Sequence, residues 1–178
     1  TDVSDTDGKK INGMLHSIVD IERISDYAMS MILLAENMDK TKVSFSEGAK
    51  GDIDVLNRAV SEILVNAVEC YTGENTKLAS TVEPLKSIID KLILNMRNRH
   101  VARLRTGECS GELGVVLTDY INYCDRVAGH CSNIAINVIQ SGNIIFSEHD
   151  YLRDLSETEK AEYEKNRNIY KERFALPE

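Results

Sequence analysis

Residues 113–138, LGVVLTDYINYCDRVAGHCSNIAINV, carry the most regular apolar pattern in the chain. Apolar or large side chains recur there at alternating steps of four and three: Leu113, Leu117, Tyr120, Cys124, Val127, Cys131, Ile134 and Val138. This spacing places them on one face of a helix and is typical of a helix that packs against others. The stretch therefore predicts a long helix at the centre of an all-α fold.

Two amphipathic patterns precede this stretch. The first runs from Lys9 to Glu36, and the polar residues 37–43 after it predict a loop. We expect its buried stripe to comprise Ile11, Met14, Ile18, Ile21, Ala28 and Ile32. Ser44 and Glu47 have the spacing of a capping box, which predicts a second helix ending near Tyr71. Its buried side should comprise Ile53, Leu56, Val60, Ile63 and Ala67.

Two more helices complete the predicted fold. One opens at Ser80, carries Pro84 in its first turn, where proline is tolerated, and ends near Gly107. Its buried side should comprise Leu85, Ile89, Leu92 and Met96. The other covers the charged segment from Ser156 to Phe174, whose sparse apolar positions predict a helix that lies across the bundle or reaches a neighbour. Short loops force neighbours to run in opposite directions, so the fold class is an antiparallel bundle of four long helices plus a C-terminal helix.

The length and charge of the chain limit its possible domain organisation and partners. A chain of 178 residues is the size of one domain, which we divide into a bundle over 1–155 and a C-terminal helix or tail over 156–178. The net charge of -8 argues against nucleic acid as a partner. Cys124 and Cys131 lie seven residues apart on one predicted helix, beyond disulfide reach, so we expect reduced thiols.

An internal repeat relates the first and fourth helices. At an offset of 103 residues, three consecutive residues of matching type align, namely an acid, an arginine and a β-branched residue. They are Glu22, Arg23 and Ile24 in the first helix and Asp125, Arg126 and Val127 in the fourth. The match predicts duplicated units of about one hundred residues. The first unit would then be represented only by its last helix.

Several segments resemble one known family. DIERISDYA (20–28) and YCDRVAGHCSNIA (123–135) resemble the ERIGDHA signature on the third helix of each three-helix repeat in PhoU proteins. EPLKSIIDKL (83–92), RHVARLRTGEC (99–109) and HDYLRDL (149–155) resemble the PhoU-like C-terminal domain of bacterial sodium/phosphate cotransporters. The motifs occur in the family's order.

The resemblance implies a regulatory domain in phosphate uptake, at the cytoplasmic face of the plasma membrane. Its partner would be the transmembrane portion of the same transporter, upstream of Thr1, and a homodimer is a further expectation. One alternative is a structural or dimerisation module without metal. Another is a bundle-type metalloenzyme, but the chain has no Glu-x-x-His pair and no GxxxxGK loop, so we expect no enzyme.

The resemblance also implies a metal site. In the family, two acids one helical turn apart bind a metal ion or cluster, and Glu22 and Asp26 keep this spacing. The second copy keeps Asp125 but has Gly129 in place of the other acid, and the adjacent His130 could supply a nitrogen ligand. The expected cofactor is a divalent, iron or zinc ion. The alternative is that these acids form surface ion pairs, each worth at most about 1 kcal/mol.

Three further side chains are candidate ligands. Glu83 and Asp90 are seven apart on one predicted helix and share a face. His100 follows on the same predicted helix, on nearly the same face as its apolar residues, and could be a ligand or a partly buried histidine satisfied by a carbonyl or carboxylate. The basic stretch 97–105 has the composition of an anion site, but it closes that helix, where positive charge complements the helix dipole, and we favour this second interpretation.

Overall fold

The computed structural model describes residues 4–140 and 155–177, and within these ranges all regular structure is helical. The helices are α1 (Asp5–Thr41), α2 (Glu47–Thr72), α3 (Thr76–Ala79), α4 (Val82–Thr106), α5 (Gly111–Ile139) and α6 (Glu157–Arg173). The predicted all-α class is confirmed. In this part of the chain no helix is both long and apolar enough to cross a membrane.

Helix α5 occupies the centre of the fold, because α1, α2, α3 and α4 all pack against it, while α6 packs on α4. Six of the eight positions predicted on its seam are buried: Leu117, Cys124, Val127, Cys131, Ile134 and Val138. Leu113 and Tyr120 are half-buried. The four- and three-residue spacing thus identified the helix that the others surround.

Helices α2 and α4 supply the rest of the core. All four positions predicted for α4 are buried: Leu85, Ile89, Leu92 and Met96. On α2 the buried positions are Leu56, Ile63 and Ala67, and Ile53 and Val60 are packed against the core while half-buried. Cys70, Cys124 and Cys131 are buried free thiols and Cys109 is a half-buried one, as expected for reduced cysteines.

Two helix starts differ from the prediction. The N-cap of α2 is Ser46, whose hydroxyl accepts a hydrogen bond from Ala49 N, so the predicted capping role of Ser44 is wrong. Ser80 does not open α4 either, because it ends the short helix α3, and α4 begins at Val82. Several residues with small polar side chains cluster before each helix, and spacing alone does not select among them.

Helix α1 is longer than predicted and presents a different face. It extends to Thr41, through most of the predicted loop, and ends at Lys42 with φ 56°. The predicted buried stripe is wrong: its members Ile11, Met14, Ile18, Ile21 and Ile32 are 44–58% exposed. Ser17 and Asp20 are buried instead, because α5 offers amide and imidazole side chains to them.

Helix α6 confirms the predicted C-terminal helix. Ser156 and Glu159 form a capping box at its start, and Tyr170 and Phe174 are buried near its end. Arg173 Nη1 forms a salt bridge with Glu62 Oε1 on α2 at 2.6 Å, so α6 contacts α2 as well as α4. The apolar run 144–146 and the motif residues 149–154 lie outside the described residues.

Candidate functional site at the junction of α1 and α5

A polar junction joins α1 to α5. Asp20 Oδ1 on α1 lies 2.8 Å from His130 Nδ1 and accepts a 3.1 Å hydrogen bond from Asn133 Nδ2. The carboxylate accepts, so Nδ1 of His130 carries the hydrogen that it donates to Asp20. The Asp20 and His130 side chains are 11% and 22% exposed, which strengthens their interaction relative to bulk water.

Contacts on both sides extend this junction. One turn before Asp20, Ser17 Oγ accepts a 3.4 Å hydrogen bond from Asn137 Nδ2. Further along α1, Tyr27 stacks on His130 with 5.9 Å between ring centroids and lies 6.0 Å from Tyr123. Hydrogen bonds therefore hold the first half of α1, and aromatic contacts continue the attachment.

A cavity of about 250 Å³ borders this junction. Its lining combines basic, acidic and amide side chains from α4 and α5: Lys86, Asp125, Arg126, Gly129, His130 and Asn133. Gly129 has no neighbouring atom within 4 Å of where a Cβ would lie, so the missing acid of the second motif leaves open space. Arg126 is exposed, and within residues 4–140 and 155–177 it has no ion-pair partner.

Lys86 links two of the predicted acids. Its Nζ lies 2.6 Å from Asp90 Oδ1 and 3.3 Å from Asp125 Oδ1, and its side chain is 11% exposed. Burial opposes the charge of Lys86, but the hydrogen bond and charge of Asp90, with those of Asp125, outweigh it and raise the pKa of Lys86 above 10.5. A permanent ammonium group thus holds the two carboxylates together.

The structure brings some predicted site residues together and separates others. Asp125 and His130 line the same cavity, and Asp90 joins them through Lys86. Glu22 and Asp26 are exposed on α1, and Asp26 pairs only loosely with Arg23 at 3.8 Å. Around the helix Glu22 lies about 160° and Asp26 about 120° from Asp20, so α1 turns both away from α5.

The described donors do not form a complete metal centre. Across residues 4–140 and 155–177, no three His, Cys, Asp or Glu side chains converge as a metal-binding group. The two best-placed donors are engaged, Asp125 by Lys86 and His130 by Asp20. A metal bound at Glu22 and Asp26 would need donors from beyond the part of the chain described.

The remaining two candidates lie elsewhere in the bundle. Glu83 is buried and accepts a hydrogen bond from the hydroxyl of Ser132 on α5. His100 is 7% exposed, with Nδ1 3.6 Å from Cys109 Sγ and with Nε2 buried and lacking a hydrogen-bond partner among the described residues. Burial, followed by the charge of Arg103, lowers the pKa of His100 below 6.5. The histidine is therefore neutral near pH 7.

Sequence reasoning missed three polar residues that shape the molecule: Asp20, Asp52 and Lys86. Asp52 is 1% exposed and binds Arg99 Nη1 at 2.8 Å and Arg103 Nη2 at 2.6 Å. A signal existed for it, because Asp52 falls between Ala49 and Leu56 on the buried stripe of α2. A charged residue at an apolar position of a helix predicts a partner from another element.

Comparison with known proteins agrees with this architecture. Residues 53–138 match a family model described as the PhoU domain, and the match covers most of α2, all of α3 and α4, and α5 up to Val138. The "Phosphate-specific transport system accessory protein PhoU homolog 1" of Thermotoga maritima is 26% identical over 120 residues, which is 67% of this chain and 51% of that protein. The chain thus aligns with about half the length of that relative. No solved structure matches the chain.

Proposed function

We propose that this chain is a regulatory domain of phosphate uptake, and that it acts by binding and helix packing rather than by catalysis. The PhoU domain over residues 53–138 and the similarity to a phosphate-transport accessory protein support this proposal. In detail, it is the domain of a sodium-dependent phosphate cotransporter at the cytoplasmic face of the plasma membrane. Its partner is then the transmembrane portion of the same transporter.

One observation carries the proposal: α1 joins the bundle through a polar junction beside a cavity. In the described part of the chain α1 packs on α5, and its other inter-element contact is the exposed pair of Lys10 with Glu74. The Asp20 hydrogen bonds to His130 and Asn133 therefore fix its position together with the packing of Ile24, Tyr27 and Met31 against the core. Both partners of Asp20 also line the cavity.

This arrangement couples binding to the position of α1. A ligand in the cavity that accepts hydrogen bonds from His130 or Asn133 competes with Asp20 for the same donors. Such a ligand favours a position of α1 without the Asp20 bonds over the position that has them, and so shifts the population between the two. A movement of α1 relative to α5 is the signal that we propose the domain passes to the transporter.

Metal binding through Glu22, Asp26, Asp125 and His130 stays a prediction. We test it by elemental analysis of the protein purified without chelator, beside the double variant Glu22→Gln, Asp26→Asn. Stoichiometric metal that disappears in the variant supports the assignment. Protein without metal contradicts it and leaves regulation by helix packing as the whole proposal.

The regulatory proposal is tested by phosphate uptake in cells. Cells that carry Asp20→Asn in the full-length protein are compared with wild-type cells after growth in phosphate-rich and phosphate-poor medium. We expect the difference in uptake between the two media to shrink, because the amide at residue 20 weakens the bond to His130. Asp39→Asn is the matched control, since Asp39 lies on the same helix with its side chain 82% exposed.

Two outcomes contradict the proposal. One is uptake by the Asp20→Asn cells that responds to phosphate as in wild-type and Asp39→Asn cells. The other is an equal loss of response in both variants, which would indicate an effect of negative charge on α1 in general. Circular dichroism of the purified chain checks that helix content survives each substitution.

A further inference from the structure

The residues that follow α6 lie against both α2 and α4. Phe174 is 3% exposed, and Leu176 packs against the core while half-buried. The carbonyl oxygen of Pro177 accepts a 2.6 Å hydrogen bond from Arg99 Nη1 on α4. We call residues 174–177, with the sequence Phe-Ala-Leu-Pro, the tail segment. Apolar and polar contacts together fix its position in a cleft of the bundle.

Two glycines of α2 make room for these contacts. A Cβ at Gly51 would lie 3.2 Å from Pro177 Cγ, and a Cβ at Gly48 would lie 3.3 Å from the guanidinium group of Arg103. Neither glycine has a positive φ, so the backbone of α2 does not require glycine there. Glycine is also less favourable than alanine in a helix. The two glycines therefore permit the close approach of Pro177 and Arg103.

A buried carboxylate aims an arginine at the tail segment. Asp52 is 1% exposed and accepts a 2.8 Å hydrogen bond from Arg99 Nη1, the same nitrogen that donates to Pro177 O. Nη1 carries two hydrogens, so one serves the carboxylate and the other serves the carbonyl. The second oxygen of Asp52 is held by Arg103. Arg99 thus presents a donor of fixed direction to a backbone carbonyl.

Helix α6 itself adds few buried contacts. Within α6, which the structure describes throughout, Tyr170 is the one buried residue. The salt bridge of Arg173 with Glu62 joins side chains that are 50% and 28% exposed, and such pairs contribute little. The helix is therefore attached mainly by its last turn and by the tail segment. It can leave the bundle while α2, α4 and α5 keep their common core.

We propose that the cleft on α2 and α4 is a peptide-recognition site, and that the tail segment occupies it as an autoinhibitory ligand. The contacts define the class of peptide: an aromatic residue, an aliphatic residue two positions later, and then a proline whose carbonyl meets Arg99. Proline suits the site because its fixed φ lowers the cost of ordering the peptide and it has no N–H to satisfy. A partner protein with such a segment takes the place of the tail segment when α6 dissociates. This inference does not depend on a role in phosphate uptake.

Peptide binding to the full 178-residue chain tests the proposal. The probe is a fluorescein-labelled peptide of residues 168–177, followed by fluorescence anisotropy. Phe174→Asp weakens the resident segment, because it places a carboxylate at a position that is 3% exposed. We expect this variant to bind the peptide with a dissociation constant about 10-fold lower than wild type, since the cleft is free in more molecules. Ile169→Asp is the matched control, because Ile169 is 43% exposed on α6, and it should bind as wild type does.

A second substitution locates the bound peptide. Adding Gly51→Leu to Phe174→Asp should abolish binding, because the new side chain occupies the position of the proline ring. Peptide that binds this double variant overturns the proposal. So does a Phe174→Asp chain that has the helix content of wild type by circular dichroism and binds the peptide no more tightly. If Phe174→Asp loses helix content, Leu176→Asp, at a half-buried position, replaces it with the same expected results.

Hydrogen exchange tests the release of the resident segment in a chain with native Phe174. Gly51→Ala requires Pro177 to move, so amides of residues 157–177 should exchange about 3-fold faster, while those of α5 are unchanged. Gly129→Ala, whose Cβ meets open space, is the control and should leave exchange over 157–177 as in wild type. Equal exchange over 157–177 in Gly51→Ala and Gly129→Ala overturns the proposal.

Discussion

Replacing Asp52 is the sharpest test of what holds the bundle together. Its two oxygens bind Arg99 and Arg103 at 2.8 and 2.6 Å, joining α2 to α4. The Arg103 side chain is 13% exposed and Arg99 is 36% exposed, so Arg103 has less access to water when its partner is lost. Removing one member of a buried ion pair costs about 3–5 kcal/mol. Because Arg99 regains solvent, we expect Asp52→Ala to lose about 3 kcal/mol, near the lower end.

The assay is urea denaturation followed by far-ultraviolet circular dichroism at pH 7. Asp52→Asn keeps one acceptor oxygen, so its expected loss is smaller, about 2 kcal/mol. Asp54→Asn is the control two residues along α2, where the carboxylate is 71% exposed and pairs with Arg58; its expected loss is at most about 0.5 kcal/mol. Equal losses for Asp52→Asn and Asp54→Asn would refute the argument that burial makes the pair important.

Three further outcomes follow from local geometry. Gly114→Ala would place a Cβ 2.7 Å from Nε2 of buried His100, so we expect its free energy of unfolding, measured by urea denaturation, to fall by about 1–3 kcal/mol. Gly129→Ala meets open space and should be neutral or stabilising. The folded-state pKa of His100 is below its unfolded value of 6.5, so the unfolded chain takes up the proton first as the pH falls. The free energy of unfolding should therefore decrease below about pH 6.5, and it should decrease less in His100→Gln. An identical pH profile in both proteins would contradict this. Ser156→Ala removes the capping box of α6 and should cost about 1 kcal/mol, measured as a shift in the urea midpoint, while no shift would show that α6 is held by Tyr170 and Phe174 alone.

The core of the bundle was predictable because its signal is local. Leu117, Cys124 and Cys131 repeat at helical spacing, and each is apolar whichever neighbour it meets. The same reasoning failed on α1, where Ile18 and Ile21 have the same spacing but face away from α5. Periodicity identifies a face that can pack, and it does not identify the partner that covers it.

The candidate site was predictable only in part, for a related reason. Asp125 and His130 share a helix, and both line the cavity. The bonds of Asp20, and the bond of Lys86 to Asp125, join residues 39 to 113 positions apart, which the spacing along one helix does not reveal. A polar residue at a position that the helical spacing predicts to be buried indicates a partner on another helix. Asp52 on α2 is such a residue.

The attachment of α1 along one neighbour has a consequence for how the protein unfolds. Loss of the Asp20 bonds, the Tyr27 stacking and the packing of Ile24 and Met31 frees α1, while α2, α4 and α5 keep the contacts of their own core. Opening of α1 is then a separate equilibrium with a smaller free energy than global unfolding. Backbone amides between Asp5 and Thr41 should exchange their hydrogens well before those of α5. A second chain or a ligand that holds α1 closed would slow exchange there and leave the exchange of the central helix unchanged.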